Sequence, residues 1–199
     1  MDVLAVVGVD DRPEVFASLD GVPVLVRSVR TLLSSGVAGH VTVFAPAARA
    51  GQIARLCVEL PVTVEATLGA APGAEVVLLH DAVRPLAPAR LAHSVVDAVR
   101  QGHPAAAPVL PLTDTVKQLD GGGRLHGGID RESLRVVQTP VAVKAEVLAR
   151  VGAVRAGAAG AVLRAGVPVH PVAGDPMAFP LRTPADLELA AAALAGMIG

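Results

Sequence analysis

The chain predicts an α/β protein with a doubly wound, mostly parallel sheet, and three observations carry that expectation. Short runs rich in Val, Leu and Ala alternate with longer stretches of helical spacing, the pattern of strand–helix–strand crossovers. The run Val76-Val77-Leu78-Leu79, bounded by Gly73 and Pro85, is apolar at every position, as in a strand buried on both faces. It stops at His80-Asp81-Ala82-Val83-Arg84-Pro85, and ligands of open α/β sheets sit beyond the carboxyl ends of such strands. Asp81 and Arg84 therefore stand where chemistry is expected; the competing reading makes Asp81 a turn cap and Arg84 a solvent-facing side chain.

Taken in order, Val3 to Val9 is a first central strand, ended by Asp10-Asp11-Arg12-Pro13. Gly21-Val22-Pro23 is a turn. Val24 to Leu33 is a helix with Leu25, Val29, Leu32 and Leu33 spaced for one face, closed by Ser34-Ser35-Gly36. His40 to Ala45 is a strand and Ala47 to Leu60 a helix with Ile53, Leu56, Cys57 and Leu60 inward. Val62 to Ala66 is a third strand, followed by a loose stretch from Gly69 to Gly73 and then the run from Val76. Pro88 to Gln101 is a helix with Leu91, Val95 and Val99 on one face.

The pattern changes after Ala105 to Pro111. Thr115 to Leu119 alternates as an exposed strand, Gly121-Gly122-Gly123 turns, and Arg124 to Ile129 returns. Two short polar strands around a glycine turn form a hairpin arm with little to pack on in its own subunit, which suggests a dimer contact. Leu134 to Gln138 rejoins the sheet, Lys144 to Gly166 is helical with breaks at Gly152, Gly157 and Gly160, and Val167 to Ala173 is a strand. Thr183-Pro184 opens the last helix as N-cap and first helical residue. No internal repeat or linker divides the chain, so residues 1–199 read as one domain with an arm at about 114–137.

Composition excludes several classes of function. A net charge of −1 argues against broad binding to nucleic acid or anionic membranes. With Phe16, Phe44 and Phe179 as the only aromatic side chains apart from histidine, single strands have no stacking platform. The single Cys57 cannot form an internal disulfide and reads as a buried structural thiol, and one Cys with scattered histidines does not make a structural zinc site. Nothing places the histidines together, so each reads as structural or exposed. The start, Met1-Asp2-Val3-Leu4, lacks a basic n-region and reads as strand; no apolar run has transmembrane length without Arg, Asp or Pro. A cytoplasmic protein is expected. Lysine occurs only at Lys117 and Lys144, so cations elsewhere must be arginines.

Five motifs in series are His80-Asp81-Ala82-Val83-Arg84-Pro85, Thr113-Asp114-Thr115-Val116-Lys117, Asp130-Arg131, Gln138-Thr139-Pro140 and Thr183-Pro184-Ala185-Asp186-Leu187. Their order and spacing resemble the methylerythritol-phosphate cytidylyltransferase family over nearly the whole chain. The resemblance implies a Rossmann-like, GT-A-like nucleotidyltransferase fold and a homodimer joined through the hairpin arm. It implies a reaction in which CTP and a sugar-alcohol phosphate give a CDP-linked product and pyrophosphate, with Mg²⁺, in isoprenoid biosynthesis. It implies that Asp81 faces the nucleotide, the metal and the substrate and that Arg84 lies on the substrate side. Beside them, Gly8 is a candidate for the nucleotide, Arg12 with Asp81 for catalysis, and Lys144 and Arg182 for the substrate. Such a reaction rests on positioning and charge stabilisation around the α-phosphate and leaving pyrophosphate.

The chain also departs from the family pattern. The glycine-rich loop after the first strand is shortened, with Gly8 its only glycine before Gly21, and Glu14 follows Pro13 where the family has lysine. Asp10 and Asp11 add negative charge, which disfavours a polyphosphate. Arg12 can stand in as the local cation; the competing reading is a short acidic surface turn. Thr67 to Gly73 replaces a Gly-Gly, Arg and Ser-Val segment that holds the nucleoside. Pro180 occupies a lysine position, with Arg182 two places on. Gly128 replaces a threonine, and Ala145 an arginine that reads the substrate phosphate, beside Lys144. The residues alone thus favour a relative that has lost most or all cytidylyl transfer and binds or regulates, with no cofactor. The alternative is an active cytidylyltransferase or nucleotidyltransferase in which Arg12 and Arg182 replace lysines and Mg²⁺ takes part. An unrelated binding module on an α/β fold is the third reading.

Overall fold

A computed structural model describes residues 2–9, 12–66, 73–128, 130–151 and 158–197. Asp10, Asp11, the stretch 67–72, Ile129, Gly152 and Gly157, all singled out above, lie outside the described residues.

In chain order, β1 is Val3–Gly8, followed by a 3₁₀ turn over Pro13–Phe16, the two-residue strands β2 (Ser18–Leu19) and β3 (Val22–Pro23), and helix α1 (Val24–Ser35). Then come β4 (Val41–Phe44), α2 (Ala47–Leu56), β5 (Val62–Glu65), β6 (Val76–Asp81) and α3 (Ala89–Arg100). The second half runs β7 (Ala105–Pro111), β8 (Gln118–Leu119), β9 (Leu125–His126), β10 (Arg135–Val137), β11 (Val141–Lys144), α4 (Ala145–Val151), α5 (Ala158–Arg164), β12 (Val169–Ala173) and α6 (Pro184–Leu194).

The main sheet has the order β10-β7-β11-β6-β1-β4-β5, with β12 also on β7. β1, β4, β5 and β6 are mutually parallel, whereas β10 and β11 run antiparallel to β7. The doubly wound, mostly parallel expectation is met. Alternation along the central strands divides their side chains between two layers. Ala5, Val7, Val43, Val76 and Leu78 pack with Leu25 and Val29 of α1, Ile53 of α2 and Val95 of α3. Val6, Val77, Leu79 and Val143 pack on the opposite face with Leu148 of α4 and Val162 of α5. β6 is buried on both faces, as its unbroken apolar run requires.

Individual elements differ from expectation where local chemistry misleads. α2 ends at Leu56 rather than Leu60, because Pro61 disfavours helical backbone before it and Cys57 to Leu60 form a turn. Lys144 is the last residue of a strand, not the first of a helix. The stretch Ala105–Pro111, whose alanines and two prolines conceal it, is the strand on which β10, β11 and β12 all pair. Between β10 and β11 the chain passes Gln138, Thr139 and Pro140, where the Thr139-Pro140 peptide is cis. His103 and His170, read as unrelated, stack with ring centroids 3.8 Å apart because β12 lies beside β7. Parallel rings cannot both aim lone pairs at one metal ion, so the pair is a packing contact.

The arm leaves the sheet after β7. Among the described residues β8 and β9 pair only with each other, with Leu119 opposite Leu125 and Gln118 opposite His126. Asp120 closes the turn by accepting from the Gly122 and Arg124 amides at 2.9 and 2.8 Å. Asp130 and Arg131, which could have paired, act separately. Asp130 accepts from the Glu132 amide, and Arg131 donates to the Thr113 carbonyl.

Candidate functional site

The parallel register between β1 and β6 sets Gly8 directly beside Asp81 at the carboxyl end of the sheet. The chain turns at once after Asp81: the Ala82 amide donates to the Gly8 carbonyl at 3.0 Å and the Arg84 amide to the Asp81 carbonyl at 3.1 Å. Two hydroxyls of α1 fix this turn from below. Ser28 Oγ donates to the Ala82 carbonyl at 2.6 Å and Thr31 Oγ1 to the Pro85 carbonyl at 3.3 Å.

That turn sends the Arg84 side chain inward, so the solvent-facing reading does not hold. It is 7% exposed; Nε lies 3.7 Å from Asp81 Oδ2, and Nη1 donates to the Ala178 carbonyl. Nε itself makes no hydrogen bond. Burial pushes the Arg84 guanidinium below its usual range; Asp81 opposes the shift, and the charges of Arg182 and Arg12 add to it. An arginine keeps its proton regardless. Two further guanidinium groups, Arg12 from the turn after β1 and Arg182 just before the last helix, thus each lie within Coulombic reach of Arg84.

Behind Asp81 a buried threonine joins two residues of β6. Thr139 Oγ1 accepts from the Asp81 amide at 3.1 Å and lies 3.1 Å from His80 Nδ1. A hydroxyl both donates and accepts, so this contact serves neutral His80 with its proton on either ring nitrogen. Burial first, and then the Arg84 charge, lower the His80 pKa to about 3, against a weaker opposing pull from the Arg84 backbone.

The opposite wall is the segment after β12. The Gln138 side chain grips it at both ends, donating from Nε2 to the Asp175 carbonyl at 2.7 Å and accepting from the Asp175 amide at 2.9 Å. Gly174 passes so close to Gln138 that a Cβ there would stand 2.5 Å from Oε1. Asp175 caps the 3₁₀ turn Pro176–Ala178 through the Met177 amide and pairs with Arg90 of α3. The Leu181 amide then donates to the Val83 carbonyl at 2.7 Å, laying this segment along the loop that carries Arg84. Arg182 follows. Its amide, together with the Thr183 amide, donates to Asp186 Oδ2 in the capping box that starts α6, as the Thr183-Pro184 pattern predicts.

Of the residues singled out in the sequence, Gly8, Arg12, Asp81, Arg84 and Arg182 come to one end of the sheet. Lys144 does not: it pairs with Val76, at the start of β6, five residues from Asp81 and so about 17 Å away along the strand. Asp114 lies on the exposed stretch between β7 and β8, and the Lys117 ammonium lies over Gly127 of the arm. Gly128, where the family has threonine, takes φ +137°, a backbone conformation that a threonine would rarely adopt. Gln138 and Thr139 stand out in the sequence only as part of a motif whose Thr139-Pro140 makes a turn, and Asp175 and Arg90 do not stand out at all. The Gln138-Thr139-Pro140 motif was the available signal, and only the pairing on β7 shows what it joins.

Among the described residues no group of three His, Cys, Asp or Glu side chains could hold a metal by itself. Mg²⁺ is ordinarily held by one or two carboxylates together with substrate phosphates, and the partly exposed Asp81 carboxylate at the strand end fits such a shared site. No described helix is long and apolar enough to cross a membrane.

Residues 8–196 match the family model for 2-C-methyl-D-erythritol 4-phosphate cytidylyltransferase. A protein of that name from Nocardia farcinica is 40% identical over 196 residues, covering 91% of this chain and 85% of the relative. Another from Rhodococcus jostii is 39% identical over 197 residues, covering 92% and 87%. The crystal structure of the enzyme of that name from Thermus thermophilus superposes with a TM-score of 0.69 at 27% identity, covering 97% of this chain and 98% of that one. With the motifs in order along the sheet and the match spanning almost its whole length, the chain belongs to the 2-C-methyl-D-erythritol 4-phosphate cytidylyltransferase family.

Proposed function

We propose that the chain transfers a cytidylyl group from CTP to 2-C-methyl-D-erythritol 4-phosphate, releasing pyrophosphate. The observation that carries this reading is the Asp81–Arg84 pair at the end of β6, with the charges of Arg12 and Arg182 each within Coulombic reach of Arg84. The names of the relatives support it over the reading of a chain that has lost transfer. In place of two lysines, this chain sets arginines near the same strand end, and arginine is well suited to forked contacts with phosphate.

In this account the substrate phosphate attacks the α-phosphorus of CTP, and the P–O bond to the β-phosphate breaks as pyrophosphate leaves. Gly8, without a side chain at the end of β1, lets the nucleotide approach the backbone. Arg12 and Arg182 supply positive charge to the anionic groups that flank the reacting phosphorus, and Arg84 orients the substrate phosphate. Mg²⁺, when bound, neutralises charge on the nucleotide phosphates, with Asp81 as its protein ligand. Asp81 has a second task, to compensate the buried Arg84 charge. The arm joins two copies of the chain: Leu119 and Leu125, paired across β8 and β9, are 66% and 72% exposed and gain cover in a dimer.

Pyrophosphate release from CTP, methylerythritol phosphate and Mg²⁺ tests the reading; turnover of about one per second is the expected scale. One observation favours the second reading, a binding or regulatory relative. Glu14 stands in the turn after β1, where the resemblance places a lysine, and its charge opposes a polyphosphate. Absence of pyrophosphate release at saturating CTP is the outcome that reading expects.

A further inference from the structure

We infer that Gln138 and Asp175 are positioning residues, acting through the Ala178 carbonyl to hold the Arg84 guanidinium in register with the substrate phosphate. The inference rests on the cytidylyl-transfer reading above.

Arg84 is buried, yet its Nε makes no hydrogen bond and its contact with Asp81 is an ion pair at 3.7 Å. The hydrogen bond that aims it is the one from Nη1 to the Ala178 carbonyl. That carbonyl lies outside the strands and long helices. β12 ends at Ala173, α6 begins at Pro184, and between them the chain makes only the short turn Pro176–Ala178. Something other than a ladder must hold it still.

Gln138 does so. Both halves of its amide bond the backbone of Asp175, 37 residues later in the chain, and the side chain is almost wholly buried. Asp175 passes the constraint on. Its carbonyl accepts from the Ala178 amide at 3.0 Å, its Oδ1 accepts from the Met177 amide at 2.7 Å, and its Oδ2 pairs with Arg90. The path therefore runs from the β10–β11 connection to residue 175, to residue 178, to Arg84. A buried amide held on both sides fixes a segment well because either unmet half would be costly. Hydrogen bonds weaken steeply with misalignment, and a misplacement of about 1 Å at a reacting group can cost on the order of 100-fold in rate.

The decisive experiment is a double-mutant cycle with Gln138→Met and Arg84→Met, read as kcat and KM for methylerythritol phosphate and for CTP separately. Gln138→Met is expected to lower kcat/KM for methylerythritol phosphate at least tenfold while KM for CTP moves less than threefold. Adding it to Arg84→Met is expected to cost nothing further. Independent, multiplying losses in the double variant, or an unchanged KM for methylerythritol phosphate, would overturn the inference. Asp175→Ala, which removes the Met177 cap and the Arg90 pair but leaves both backbone contacts to Gln138, is expected to show the same selective loss, and unchanged kinetics would overturn the role of Asp175; circular dichroism and the urea midpoint of each variant distinguish a displaced Arg84 from an unfolded chain. If the unmodified chain releases no pyrophosphate, the reading of the reaction falls. Calorimetric binding of methylerythritol phosphate to the same proteins then decides on Gln138, and equal affinity in the unmodified chain and Gln138→Met overturns its role.

Discussion

Arg84 Nε lies 3.7 Å from Asp81 Oδ2, an ion pair whose cation is buried and whose anion is about one-third exposed. The asymmetry makes the two residues unequal in their consequences. Removing the carboxylate strands a buried charge, whereas removing the arginine leaves an acid that water can solvate. Asp81→Ala is expected to lose about 1–2 kcal/mol of stability, below the range for fully buried pairs because water reaches the carboxylate. Turnover is expected to fall at least 100-fold. Urea denaturation and steady-state kinetics together check this; an active, unimpaired Asp81→Ala would make the pair a fold element only.

Arg182 separates charge from fold. Its backbone amide serves the capping box while its side chain is exposed, so Arg182→Ala leaves the start of α6 intact. A lost charge-assisted phosphate contact is worth about 1.5–3 kcal/mol, so kcat/KM is expected to fall by about 10- to 150-fold with an unchanged urea midpoint. Arg182→Lys is expected to recover part of the loss, because the charge returns without the planar fork.

His80 gives the protein a pH dependence of stability. Its folded pKa, about 3, lies below the unfolded value of about 6.5, so the unfolded chain binds the proton first as pH falls. Its contribution is complete above pH 6.5 and declines between about pH 6.5 and 3, with a slope of up to about 1.4 kcal/mol per pH unit. Urea midpoints measured from pH 7 to pH 4 should fall less steeply for His80→Gln than for the unmodified chain. Parallel profiles would remove His80 as the cause.

Gly174 tests the packing of the wall opposite Asp81. A Cβ there would meet Gln138 Oε1 at 2.5 Å and the Val109 carbonyl at 2.8 Å. Because the second contact is backbone, trimming Gln138 cannot relieve it. Gly174→Ala is expected to cost about 1–3 kcal/mol, and Gln138→Ala in the same chain to restore none of it, both read from urea melts.

Much of the fold was legible because its signals are local. The apolar run of β6, the one-faced spacing of α1 and α3, the Gly36 stop after α1 and the Thr183-Pro184 start of α6 each depend on a few neighbouring residues. β7 was hidden because three alanines and two prolines carry little strand preference, and β11 because Thr139-Pro140 reads as a turn. The site was half legible for the same reason. Asp81 and Arg84 stand together in one motif, but Arg12 and Arg182 reach them only through the register of β1 on β6 and the docking of residues 174–182 on the Arg84 loop. Lys144 looked eligible beside the aligned arginine position, and the strand register puts it at the far end. Nothing local in Gln138 or Asp175 announces that one holds the other, nor in His103 that it meets His170.

Arginines near the end of β6 are proposed to serve where the family resemblance places lysines. Pyrophosphate release from CTP with methylerythritol phosphate and Mg²⁺, compared between the unmodified chain and a chain carrying Arg12→Ala and Arg182→Ala, tests this most directly. Steady release is expected from the first and a loss of about 100-fold or more in the second. No release from the unmodified chain, or equal release from both, would contradict the proposal.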